Sequence, residues 1–385
     1  MSSKIKVLQV IPKLGYGGAE TGCYDIAHYL SEKDCGSFIA TSGGQLLKFV
    51  KKSKVKVFRL PVHSKNPILI FFNTLILSIL ILFNGINIVH ARSRAPAWSC
   101  FFACFLTRSK FVTTFHGTYN FKNYLKKIYN SVMLRSLLTI AGSNFIFNHI
   151  NEKYKEFLNR KKKLRVIFRG INIDYFNQKN VSILKQEKLK KEWEISPGKM
   201  VILLPGRLTY WKGQEKFIEA LNILIEDFNQ SNFQAVILGS DQGRKVYKKK
   251  LINLVQRYRM SQKIKFINHC NEMPVAYSLA DMVVSSSVEP EAFGRVAVEA
   301  QSMGKPIIAS DIGGSKETIL NGKSGFLYKH DDPRELAKAL NTIIELDPEA
   351  LITMGNEGRK NISKKFDVET MCDSTLREYK KLLDI

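Results

Sequence analysis

Short, continuous apolar runs recur along the chain, each closing on a glycine or polar turn and followed by apolar residues at helical spacing. The first is residues 4–11, which leads through a glycine-rich turn into Cys23, Ile26, Ala27 and Leu30. Others lie at 86–90, 110–115, 140–141 and 164–168, and again at 200–205, 235–238, 264–267, 281–285 and 307–310. Runs this short and this uniformly apolar predict strands buried on both faces, and the helices between them predict an α/β fold with parallel strands. A polar, lysine-rich stretch at 178–199 interrupts the rhythm, which places a domain boundary near residue 170. Later signals are a hairpin-like return at 322–327, a helix capped by Asp332 and Pro333, and a terminal helix over 366–383. The longest apolar block, 68–83, is shorter than the roughly 20 residues a bilayer span needs. Asn73, Thr74 and Ser78 interrupt it, so it reads as a core helix with a lipid-facing edge, or as a simply buried helix.

The chain has 385 residues, enough for two domains with separate cores. Its formal charge of +25 is the composition's main message, since folding alone does not require it. Lysines cluster at Lys48, Lys51, Lys52, Lys54 and Lys56, at Lys122, Lys126 and Lys127, and in the run Arg160-Lys161-Lys162-Lys163. None of these carries the interleaved aromatics of an RNA-binding sheet. An anionic lipid surface or an anionic acceptor is therefore expected rather than nucleic acid, with a merely solvated lysine-rich surface as the plain alternative. Six cysteines without a C-x-x-C pair, and a first strand with no apolar leader before it, predict a reducing, cytoplasmic setting.

The candidate chemistry sits where strands end. After the run at 281–285 comes Glu289-Pro290-Glu291-Ala292-Phe293-Gly294-Arg295, with a helix predicted to start near Gly294 and to carry Glu299. At about 1.5 Å per residue, Glu299 stands roughly 7 Å along that helix. Two carboxylates flanking a helix N-terminus suit a ligand with hydroxyls at both ends and an anion between them, held near Phe293 and Gly294. In Gly15-Tyr16-Gly17-Gly18-Ala19-Glu20, Gly17 and Gly18 would let a phosphate approach, but Glu20 stands where a dinucleotide-binding loop has its third glycine. Arg92 and Arg94 follow the strand at 86–90 and could grip an acidic acceptor, or could be surface arginines beside a helix start. His116 ends the strand at 110–115, placed to change charge near neutral pH at a reaction centre. Arg207 and Lys212 bracket a turn before a helix starting near Gln214, where two cations would neutralise a diphosphate without a metal.

The segment from Glu291 to Glu299, continuing to Gly304-Lys305-Pro306 and the next apolar run, resembles the E-x7-E signature of retaining glycosyltransferases of family 4. The Gly-Gly-Ala-Glu loop and the strand-end His116-Gly117 are similar to that family as well. The resemblance implies the GT-B fold, two Rossmann-like doubly wound domains facing each other across a cleft: 1–170 on the acceptor side, 171–365 binding the donor, and 366–385 crossing back to the first domain. It implies transfer of a sugar from a nucleoside-diphosphate sugar, with Arg207 and Lys212 on the diphosphate, Glu299 on the ribose, Glu291 on the sugar and His116 beside it. No resident cofactor and no metal are expected. The acceptor would be a lipopolysaccharide, lipid-linked or other cell-envelope glycan precursor, met at the inner face of the cytoplasmic membrane. Rivals are a GT-B sugar-nucleotide epimerase, a phosphorylase-like enzyme with pyridoxal phosphate, a basic nucleic-acid-binding protein, and a membrane-docking protein with a dead GT-B fold.

Overall fold

A computed structural model describes residues 5–158 and 163–385. The chain divides into two compact units. One ends at Gly170 and resumes as Val368–Ile385, and the other is Ile171–Asp367.

The first unit is built on seven strands: β1 (Lys6–Val10), β2 (Gly36–Thr41), β3 (Lys56–Arg59), β4 (Ile88–Ala91), β5 (Lys110–Phe115), β6 (Leu138–Ala141) and β7 (Lys163–Val166). All pair in parallel, in the order β3-β2-β1-β4-β5-β6-β7. Three of its helices matter below: α1 (Gly18–Glu32), α2 (Pro67–Asn84) and α3 (Arg94–Thr107). The second unit has six strands, β8 (Met200–Pro205), β9 (Phe233–Leu238), β10 (Ile264–Ile267), β11 (Met282–Ser285), β12 (Ile307–Ser310) and β13 (Gly325–Tyr328), in the parallel order β10-β9-β8-β11-β12-β13. Each sheet steps outward for three strands and then jumps back past its first, so β1 lies beside β4 and β8 beside β11. At these switch points the flanking turns diverge and leave a crevice beyond the strand ends, where ligands of doubly wound sheets collect.

The predicted strands exist because their side chains are buried on both faces. Val7, Val10, Ile88, Val112 and Phe115 are fully buried in one sheet, and Ile202, Val236, Ile237, Val283, Ile307 and Ile308 in the other. Two strands were not legible in advance. β2 reads Gly-Ser-Phe-Ile-Ala-Thr, with only three apolar residues in a row, and β3, at the sheet edge, reads Lys-Val-Phe-Arg and is only partly buried. The return at 322–327 is not a hairpin. The chain crosses through the short helix Ser315–Thr318, and β13 runs parallel to β12 with Ile307 opposite Gly325. The terminal helix is Val368–Leu382 and begins later than expected, because Phe366 caps the preceding helix through its N–H to Ile362 O. That terminal helix belongs to the first unit, where Met371, Cys372, Leu376 and Tyr379 join the core with Ile26, Ile88 and Val112. Tyr379 Oη lies 2.5 Å from His90 Nδ1, and His90 Nε2 lies 2.7 Å from Thr114 Oγ1.

Candidate functional site

In the second unit the switch point brings two turns together. The turn after β8 runs through Arg207 to a single 3-10 turn, Tyr210–Lys212, and then into the helix Gln214–Glu226. Gly213 joins them at φ 68°, and a side chain there would overlap Ser286 O in the turn after β11. The Ser286 hydroxyl donates to Lys212 O and Gly213 O, 3.0 Å each, and Val288 N donates to Trp211 O at 2.9 Å. With its backbone fixed in this way, Lys212 reaches the neighbouring turn, where Nζ lies 2.7 Å from Glu291 Oε1. Ser287 Oγ donates to the same oxygen at 2.6 Å and Ser285 Oγ at 3.4 Å. Burial by itself would raise the Glu291 pKa. The Lys212 ammonium and these hydrogen bonds outweigh it and hold the carboxyl below its ordinary range. Arg207 is exposed, its guanidinium carbon 5.9 Å from the Trp211 ring centre, and Lys212 Nζ lies 4.5 Å from the same centre. Two cations and one indole thus share a patch at the strand ends.

The helix over Arg295–Ser302 starts where it was predicted, with Gly294 at φ 82° as its N-cap and no side chain capping it. Its approach segment is pinned by Gly314 N, which donates to Glu291 O at 2.7 Å, and by Phe293, packed edge-on against Phe366 at 5.6 Å. Glu299 is buried. Its Oε2 accepts from Tyr277 Oη at 2.9 Å and its Oε1 from Arg295 Nε at 2.5 Å. Burial and the adjacent carboxylate push the Tyr277 phenol well above its ordinary value, so it stays a donor. Both acids expected to meet a ligand's hydroxyls are therefore already held by the chain's own donors.

In the first unit, Gly17 is the N-cap of α1 and Gly18 its first residue. Neither has a positive φ. A Cβ on Gly17 would meet only the movable carboxylate end of Glu20, and one on Gly18 would meet nothing within 4 Å. His116 follows β5, and its Nδ1 lies 2.8 Å from Arg169 Nη1. The guanidinium can only donate, so the imidazole proton sits on Nε2, which is buried without a hydrogen-bond partner among the described residues. Arg169 also donates to Gly18 O.

Two expectations for this unit are corrected. His116 does not titrate near neutrality, because burial first, and then Arg169 and Arg92, drive its pKa well below 6.5. Arg92 is not presented to an acceptor. It is 3% exposed and donates to Gln9 Oε1 at 2.9 and 2.5 Å and to Gly22 O at 3.3 Å. Arg94 is half-buried, bonded to Asn130 Oδ1 at 2.9 Å and stacked 4.3 Å from the Tyr119 ring.

The residues that sequence reasoning missed are those that hold others in place: Ser286, Ser287, Trp211, Tyr277, Arg295 and Arg169. Only Arg295, four residues before Glu299, left a local signal, the i,i+4 spacing of opposite charges on a helix. Of the basic run at 160–163, Arg160, Lys161 and Lys162 lie outside the described residues, as does Lys4 of the first apolar run. Among the described residues no three His, Cys, Asp or Glu side chains gather as a metal centre.

Residues 185–361 match the family of glycosyl transferases group 1, and residues 16–175 match glycosyltransferase family 4. A crystal structure of a glycosyltransferase from Rickettsia africae ESF-5 is 34% identical, covers 99% of each chain and superposes with a TM-score of 0.90. Anabaena Alr3699/HepE, crystallised with UDP and glucose, has the same fold at 24% identity, with a TM-score of 0.82 over 98% of this chain and 100% of that one. A D-inositol 3-phosphate glycosyltransferase of Corynebacterium efficiens is 30% identical over 173 residues, and the match spans 44% of this chain and 40% of that protein. With two doubly wound sheets, the Glu291-to-Glu299 stretch at a switch point, and a 34% identical glycosyltransferase matched along nearly its whole length, the chain belongs to the group 1 glycosyltransferases of the GT-B fold.

Proposed function

We propose that this glycosyltransferase retains the anomeric configuration, needs no metal, and transfers a hexosyl or N-acetylhexosaminyl group from a nucleoside-diphosphate sugar. The acceptor in this reading is a hydroxyl of a lipopolysaccharide, lipid-linked or other cell-envelope glycan precursor, met by the enzyme as a peripheral protein on the inner face of the cytoplasmic membrane. The observation that carries the reading is the buried Lys212–Glu291 pair beside exposed Arg207, at the strand ends of one doubly wound sheet. An ammonium has three donors. Lys212 can keep Glu291 and still donate to a phosphate oxygen, while Arg207 offers its planar fork to the same diphosphate. Together with the uncapped helix end at Gly294 they oppose the charge that grows on the departing diphosphate. Glu299 keeps lone pairs beyond those used by Tyr277 and Arg295, enough for ribose hydroxyls.

In the transfer step the acceptor oxygen bonds to the anomeric carbon on the face the diphosphate leaves, the bond from that carbon to phosphate oxygen breaks, and a phosphate oxygen takes the hydroxyl proton. Glu291, held as an anion and as a partner of Lys212, orients the sugar. In the first unit, His116 is neutral with its proton on Nε2 and with Nδ1 accepting from Arg169, so it is a hydrogen-bond donor and not a base. UDP in the Anabaena relative makes uridine diphosphate sugars the first donors to try. A thermal-shift screen against nucleotide sugars should single out one donor, and NMR of the product should show the donor's anomer kept. An inverted anomer, or no stabilising donor, refutes the proposal.

A further inference from the structure

Helix α2 is polarised the wrong way for a soluble protein. Its buried side carries Asn73, Thr74 and Ser78 along with Leu77 and Ile81. Nine of its large apolar side chains are exposed, among them Ile68 at 65%, Phe71 at 60%, Leu82 at 67% and Phe83 at 88%. The buried polar groups are satisfied within the unit: Asn73 Nδ2 donates to Pro61 O at 3.2 Å, Thr74 to Ile70 O and Ser78 to Thr74 O at 2.8 Å each. Helix α3 continues the outward apolar surface with Phe102, Phe105 and Leu106, the last two 77% and 60% exposed. Exposed apolar patches of this size mark an interaction surface.

Between the two helices lies a groove of about 590 Å³, walled by Phe71, Trp98, Phe102, Phe105 and Leu106, with Lys65 also lining it. That volume suits one small ligand. Its few polar groups are mostly engaged: Trp98 Nε1 donates to Tyr129 O at 3.2 Å, and Thr74 is bonded within α2. The polar exceptions are the Tyr129 hydroxyl, buried without a partner among the described residues, and exposed Lys65. Such a lining selects a hydrocarbon chain with at most one polar group at its end.

Charge identifies the partner. Between Asp34 and Glu152 the chain has no Asp or Glu but fifteen Lys and Arg residues. Several border this face: Lys65 in the groove, Lys56 bonded to Asn84 at the end of α2, and Arg135 stacked 5.5 Å from both Trp98 and Phe101 on α3; Lys6, from β1, is bonded to Asn84 as well. An apolar face bordered by these cations fits an anionic bilayer. At 18 residues α2 is about 27 Å long, and it is packed along one side on the unit, so it lies on the membrane rather than across it.

We propose that the α2–α3 face docks on an anionic phospholipid bilayer and that the groove takes in one acyl chain of an anionic phospholipid. The inference rests on the membrane-surface reading above, and its test uses neither donor nor acceptor, so vesicle binding without sugar transfer would fail the enzymatic reading and leave this one standing. The whole chain should float with vesicles of phosphatidylcholine and phosphatidylglycerol, and bind vesicles of phosphatidylcholine alone at least about tenfold less. Phe105→Asp with Leu106→Asp, two exposed positions, should abolish flotation and leave thermal unfolding unchanged. Phosphatidylglycerol brominated in its acyl chains should quench part of the tryptophan emission, and Trp98→Phe should remove the quenched part, since Trp193 and Trp211 belong to the other unit. Equal binding to both vesicle types, flotation of the double variant, or undiminished quenching in Trp98→Phe would overturn the proposal. So would a solution dimer that binds no vesicles and that the double variant splits, because the face would then serve a second copy.

Discussion

Replacing Lys212 with Met tests the site at its most constrained point. Lys212 and Glu291 have side chains only 12% and 11% exposed and meet at 2.7 Å, so solvent screens the pair weakly. The substitution leaves Glu291 with Ser287 at 2.6 Å and Ser285 at 3.4 Å and no cation in contact. Removing one partner of a buried ion pair costs about 3–5 kcal/mol. For a unit of this size that is a fall of roughly 10 °C in melting temperature.

The pH dependence gives the sharper test. In the native protein the Glu291 pKa lies below its ordinary 4.5, so its stabilisation is present above that pH and is lost as pH falls through the depressed value. In Lys212→Met burial dominates and the folded pKa rises above 4.5, so the penalty grows with pH. The variant's deficit should be largest at neutral pH and shrink towards about pH 4. Adding Glu291→Gln removes the stranded charge and should restore most of the stability without restoring turnover, a coupling that a double-mutant cycle reads directly. Thermal unfolding across pH, with release of nucleoside diphosphate as the activity readout, checks both. A single variant as stable as wild type at neutral pH, or a double variant less stable than the single, would refute the assignment.

Arg207→Ala should lower turnover tenfold or more, since a charge-assisted hydrogen bond contributes about 1.5–3 kcal/mol. Stability should stay within about 0.5 kcal/mol because the side chain is exposed, so a large fall in melting temperature would count against a ligand-facing role. Chelator should leave turnover intact, and abolition by EDTA would show that the cations are not what neutralises the diphosphate. His90 and His116 both have pKa values driven well below 6.5, by burial first and by nearby arginine after it. The unfolded chain takes up those protons below about pH 6.5 and the folded one does not, so stability should fall as pH drops through that value. NMR titration of His116 showing a midpoint between about pH 6 and pH 7 would contradict this.

Much of the architecture was readable because it is local. Buried parallel strands need unbroken apolar runs, and turns at their ends need glycine and polar residues, so 200–205, 282–285 and 307–310 announced themselves. β3 did not, because an edge strand is wetted on one side and its Lys-Val-Phe-Arg carries no such run. Within the site, Glu291, Glu299, Arg207 and Lys212 stood out by spacing within single turns, and Gly294 by its place at a helix start. Arg92 looked like a ligand-facing arginine because its position after β4 is that of one. Its burial against Gln9 depends on the neighbouring strand β1, which no window of sequence around residue 92 contains.

The sequence alone therefore determined most of the buried strands, the helices that follow them, and which charged groups stand at strand ends, because short-range periodicity and turn chemistry decide all of these. The tertiary structure alone decided partnerships: Lys212 with Glu291 across 79 residues, Arg169 with His116 across 53, Tyr277 with Glu299, and Tyr379 with His90. It also decided which way α2 faces. A helix apolar nearly all round gives no periodic signal for its buried side, and packing against α3 and the chain around Pro61 turned its few polar residues inward.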